Sequence, residues 1–169
     1  ESGVDLKLLV ERLKILLKVF YNNGEIMKIG IISERLNHTL TGVGTYTFHL
    51  IKGISMIHPH NKIYLIDFKN HEIFKDLNKI VIAPSVKYLP KKYYFWHLYS
   101  QFRLRKNNFD LDIIHSTENA ALFVKLKNQK KIITVHDIIP YKFPESFTLI
   151  TRLRYKFLLS RTLKTSDKI

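Results

Sequence analysis

The feature that most constrains this chain is a series of short apolar runs separated by segments of a different period. "MKIGIIS" (Met27–Ser33), "KIYLIDF" (Lys62–Phe68), "KIVIAP" (Lys79–Pro84), "DLDIIHS" (Asp110–Ser116) and "KKIITVHD" (Lys130–Asp137) carry adjacent apolar residues, not alternate ones. A strand with one wet face would alternate, so these strands are expected to be buried on both faces. Between them, Gly44–Ile57 places Tyr46, Phe48, Leu50, Ile51 and Ile54 at helical spacing. Lys91–Lys106 and Phe147–Lys164 also read as helices, and Ala120–Leu126 as a short one. The closing "SDKI" reads as the start of another strand. Strands alternating with helices predict an α/β fold, a parallel sheet flanked by helices.

At 169 residues the chain is long enough for one domain with a substantial core and short for two. It has no cysteine, which excludes disulfides and thiolate metal sites and fits a reducing, cytoplasmic setting. Residues 1–26 read as an extension. Leu6, Leu9, Val10, Leu13, Leu16, Leu17 and Phe20 form one helical face, and "YNNGE" breaks it before the first strand. The domain proper is expected to span 27–169. No apolar run approaches the roughly 20 residues of a membrane-spanning helix.

The net charge of +14 is concentrated after the extension, where four acidic residues balance four basic ones. Such a surface favours anionic partners: phosphorylated substrates, anionic lipid or nucleic acid. The basic–aromatic stretch Lys87–Asn108 has six basic residues and no acidic one. Rings interleaved with cations suit a single-stranded nucleic acid or a lipid interface. The plainer reading is a helix whose face of Phe95, Leu98, Phe102 and Arg105 packs inward and leaves a solvated basic side.

Two groups of residues suggest a site. Gly42 and Gly44, with Val43 between them and Thr45 after, precede a helix. Their backbone amides would lie at the positive end of its dipole, which suits a diphosphate. They do not make a dinucleotide fingerprint: the loop is too long and the third glycine position holds Thr47, although Asp67 ends the second strand as a ribose ligand would. Alone, this loop reads as an ordinary turn into a helix. The second group lies at strand ends, with His115 and Ser116 at one, Asn119 just beyond, and His136 and Asp137 at the next. In parallel sheets ligands bind outside the carboxyl ends of the strands, so these residues and the loop from Arg35 to Gly44 should share a crevice. No third ligand accompanies the histidines at metal-binding spacing. Ser116 directly follows His115, so their side chains should point to opposite faces, and no nucleophile elbow is present.

Taken in order, "MKIGIIS", "TGVGTYTFHLIKGI", "FWHLYSQFRLRKNNFDLDIIHSTENAAL", "KKIITVHDIIPYKFPE" and "RYKFLLSRTLKTSDKI" resemble the amino-terminal half of family 4 retaining glycosyltransferases. These have a GT-B fold of two Rossmann-like domains. The resemblance runs from Met27 to Ile169 and is most specific at "TVHDIIPYKFPE". It implies an acceptor-side domain of an enzyme that moves a sugar from a nucleotide-diphosphate sugar to a glycan, lipid or small-molecule hydroxyl with retention. On that reading Gly42 and Gly44 approach the donor diphosphate, and His136 lies near the donor sugar as the catalytic residue. Asp137 supports its loop, and His115 and Ser116 line the cleft. No metal or other cofactor is implied, only the nucleotide sugar as co-substrate. Thr45 departs from the arginine frequent at its position. The donor-binding carboxy-terminal domain lies outside this chain, which alone should be nearly inactive. The competing expectation is a non-catalytic basic module that docks on anionic lipid, nucleic acid or a partner subunit. A cytoplasmic protein in peripheral contact with an anionic membrane fits either, and nucleic acid is the least favoured partner.

Overall fold

A computed structural model describes residues 26–33, 36, 42–67, 74–82, 92–106, 109–119 and 122–169, with side chains within 92–106 described from Tyr99 onward. The expected helix within 1–26, Arg35, and the side chains of Phe95 and Leu98 lie outside the described residues.

Five strands, β1 (Lys28–Ile32), β2 (Lys62–Asp67), β3 (Asn78–Val81), β4 (Ile113–Ser116) and β5 (Lys130–Ile133), form one sheet in the order β3-β2-β1-β4-β5. Every pairing is parallel. The longer helices are α1 (Gly42–Ile57), α2 (Lys92–Lys106) and α4 (Leu149–Lys164); a single turn, α3 (Ile139–Lys142), and a 3-10 turn at Pro144–Ser146 precede α4. This is the expected α/β architecture, a Rossmann-like sheet flanked by helices.

The continuous apolar runs explain why both faces are covered. Register sets Ile29, Ile31, Ile63, Leu65, Ile113 and Ile132 on one face, where Leu50, Ile51 and Ile54 of α1 seal them. On the other face Ile32, Ile66 and Ile114 meet Leu104 of α2 together with Leu122, Val124 and Leu126. Each such side chain, fully buried, stabilises the fold by about 2 kcal/mol before chain entropy is counted. Gly30 is the gap in β1 that the second layer fills: a Cβ there would lie 2.8 Å from the terminal methyls of both Ile66 and Leu111.

Several local expectations differ from the structure. Residues 122–126 are not helical. Leu122, Val124 and Leu126 are buried and Lys125 is exposed, a period of two that a helix does not satisfy; the chain bends at Val124. Its backbone is provided for from outside, since the Gln101 side-chain oxygen accepts from the amides of both Phe123 (3.1 Å) and Val124 (3.3 Å). Gln101 is therefore buried, while Phe102, expected on the inner face of α2, is 64% exposed. Strand β5 ends at Ile133; the Thr134 amide still donates to the Ser116 carbonyl at 2.9 Å, and Val135–Asp137 lie beyond the strand. The terminal "SDKI" does return to the sheet, where Lys168 bridges Ile132 in parallel and the Asp167 carboxylate accepts from the Lys131 amide at 2.8 Å. The Lys131 side chain is buried, donating to Thr165 Oγ1 (2.5 Å) and the Val124 carbonyl (3.3 Å), and burial lowers its pKa to about 8. It ties the end of α4 to the second core layer.

Candidate functional site

Strands β1, β2 and β3 proceed outward in one direction, and β4 returns to the opposite side of β1. The connections diverge between β1 and β4, and a crevice at the carboxyl ends of these two strands is where ligands of open parallel sheets bind. The first turn of α1 lies against this point. Thr47, buried, reaches the Val43 carbonyl and the Thr117 hydroxyl, each at 2.8 Å, and Thr117 Oγ1 lies 3.3 Å from the Ile32 carbonyl. The side chain at the third-glycine position is thus a hydroxyl strut between α1 and the residue after β4.

The helix begins at Gly42, two residues earlier than its apolar period suggests, so both glycines lie inside its first turn and not ahead of it. Apolar periodicity marks the packed face and is silent about a first turn that packs on little. Gly44 is buried. Gly42 is exposed, and among the described residues a Cβ there would meet nothing within 4 Å. Packing against the described residues does not demand glycine at 42. Val43 and Thr45 are half-buried on the same turn.

His115 and Ser116 part as strand geometry requires. His115 is buried on the α1 side, its Nε2 2.9 Å from Thr134 Oγ1, and Tyr46 Oη lies 3.1 Å from that same hydroxyl. Burial, helped by the neighbouring His136, lowers the His115 pKa to about 4, so the ring is neutral near pH 7. Burial also raises the Tyr46 pKa above its ordinary value, opposed by its bond to Thr134. Ser116 is buried toward the opposite face and donates to the Glu118 carbonyl at 3.3 Å. Ser116 closes β4 and its hydroxyl braces the turn that follows, separate from the His115 cluster.

His136 is exposed, and its ring meets Tyr46 edge to face at a centroid distance of 5.1 Å. Its Nε2 is 2.8 Å from the Thr117 carbonyl. A carbonyl only accepts, so Nε2 carries a hydrogen and donates it here. Asn119 fixes the backbone here. Its Oδ1 accepts from the His136 amide (2.7 Å), and its Nδ2 donates to the Asp137 carbonyl (3.0 Å) and to Tyr155 Oη (2.6 Å). Tyr155, from α4, donates in turn to the Asp137 carbonyl at 3.0 Å. The Asp137 carboxylate accepts from the Ile139 amide at 3.1 Å and shapes the turn into α3.

The structure therefore brings Gly42–Thr45, His115, Asn119, His136 and Asp137 to one end of the sheet. It adds Tyr46, Thr47, Thr117, Thr134 and Tyr155, which sequence reasoning did not select. Of these, Thr47 had drawn notice as a missing glycine and Tyr46 as part of the apolar face of its helix; Tyr155 belongs to a helix that gave no local cue to a site. Among the described residues no group of three or more His, Asp or Glu could hold a metal ion. No described helix is long and apolar enough to cross a membrane. In comparisons with known proteins, the chain matches no family model, no curated protein and no solved structure.

Proposed function

We propose that this chain is the acceptor-side domain of a retaining glycosyltransferase of the GT-B type, acting on a nucleotide-diphosphate sugar. The observation that carries the reading is the meeting of the α1 first turn and the His136 ring through Tyr46, at the switch point of the sheet. The helix start offers backbone amides and a positive dipole end to a leaving diphosphate, and the open space at Gly42 leaves its backbone approachable. His136 stands beside that turn with its backbone held by Asn119. The protein's part in such a transfer is positioning and stabilisation of charge on the departing diphosphate, while a second domain holds the nucleotide.

The test is release of nucleoside diphosphate from a panel of nucleotide sugars by the full-length gene product. His136→Ala should lower turnover by about 100-fold in a folded protein. Gly42→Val, with room for its side chain in the free protein, should raise the donor KM and leave the melting temperature near that of the parent. Release from no donor, or undiminished turnover in His136→Ala, overturns the reading.

A further inference from the structure

Helix α4 has the wrong side out. Its exposed positions include Leu149 (65% exposed), Ile150 (79%), Leu153 (59%) and Phe157 (64%), and the steps 149–153–157 align three of them along one stripe. A helix covering a sheet normally turns such a stripe inward. Here the buried side chains are Leu159 and Thr162, and Tyr155 reaches inward to Asn119. The exposed stripe continues onto the preceding turn. Ile139 and Phe143 are also exposed, and the Tyr141 hydroxyl donates to the Lys156 carbonyl at 3.1 Å.

Charge identifies what covers this face. From Ile138 to Lys164 the chain carries six basic residues (Lys142, Arg152, Arg154, Lys156, Arg161 and Lys164) and one acid, Glu145. Lys156, Arg161 and Lys164 are exposed along the same helix as the stripe. A second copy meeting this face symmetrically would set cations against cations. The core of a protein interface is depleted in lysine. An anionic lipid surface satisfies both halves of the pattern: apolar side chains enter the acyl boundary while long cationic side chains reach the headgroup phosphates.

We propose that the outer face of α4, with the adjoining turn at Ile139–Phe143, docks on anionic lipid, the helix lying in the plane of the interface. This inference is independent of the glycosyltransferase reading: it rests on the opposite side of α4 from Tyr155 and needs no nucleotide sugar. The charge of the whole chain would draw it to anionic vesicles by itself, so the deciding variants keep every charge.

The experiment is flotation of the chain with phosphatidylcholine vesicles, with and without a third of phosphatidylglycerol, at low and physiological salt. Binding should require phosphatidylglycerol, and the double variant Leu153→Ser, Phe157→Ser should weaken the partition coefficient by about 10-fold or more. A Phe157→Trp variant should show a blue shift on binding, and quenching by brominated acyl chains, beyond that of the parent with its single Trp96. No flotation at low salt overturns the proposal, as does flotation unchanged in the Leu153→Ser, Phe157→Ser variant. Self-association in lipid-free solution that this variant abolishes would assign the face to a second copy instead.

Discussion

Two neighbouring regions of the molecule invert the usual placement of polarity, each for a different reason. At the carboxyl ends of β4 and β5, polar side chains are buried: Thr47, His115 and Thr117 are at most 5% exposed. A short distance away, the outer side of α4 leaves four large apolar residues in solvent. The buried polar groups are matched one to another, through Thr47–Thr117 and His115–Thr134–Tyr46, and a satisfied network holds one geometry where a half-satisfied one would not. The exposed apolar groups have no such closure among the described residues. One region is closed by its own side chains; the other is left open by the described residues.

That contrast can be broken at several places. The largest effect should come from acid. Folded His115 resists the proton that the unfolded chain accepts near pH 6.5, because its pKa is lowered to about 4 by burial. Its stabilisation is present in full above about pH 6.5 and is lost as the pH falls toward 4, a change of about 3 kcal/mol. Urea denaturation at pH 7, 5.5 and 4 should show this slope in the parent and a much shallower one in His115→Gln. Equal slopes would place the acid sensitivity elsewhere.

Asn119→Ala should come next. It removes the partner of the His136 amide and two of the bonds that join Asp137 and Tyr155, at a cost of about 1–2 kcal/mol, since water replaces part of what is lost at these partly exposed groups. Amide exchange at His136 should accelerate along with it; unchanged exchange would mean that the loop is held by other contacts. The smallest effect belongs to the outer face. Leu153→Ser with Phe157→Ser should move the unfolding free energy by no more than about 0.5 kcal/mol, because neither side chain is covered. A loss of several times that would show that the stripe is part of the core, and would erase the contrast.

Much of the architecture was legible because burial on both faces writes an unbroken apolar run. Ile29, Ile31 and Ile32, or Ile113 and Ile114, announce a parallel sheet with no reference to their partners. The residues just past β4 and β5 were legible for a related reason: polar side chains directly after such a run stand at the end where crevices form. What escaped was decided by tertiary contacts. The segment 122–126 has helix-compatible composition, yet its Phe123 and Val124 amides are taken by Gln101, a residue some twenty positions away in another element. Thr47, Thr117 and Thr134 are short polar side chains that in sequence look like surface residues, and only the packing of α1 on the strand ends makes them a network. The exposed stripe of α4 was hidden by its own periodicity, since an apolar stripe looks the same whether it faces in or out.

Tyr155 gives α4 a role in alignment. One side of the helix is pinned to Asn119 and Asp137, and the other carries Leu153 and Phe157. A packed helix is about 10 Å across with its side chains. The outer stripe therefore stands about one helix diameter from Asn119 and Asp137, and the pin at Tyr155 keeps the helix from turning independently of them. The helix acts as a spacer of fixed thickness.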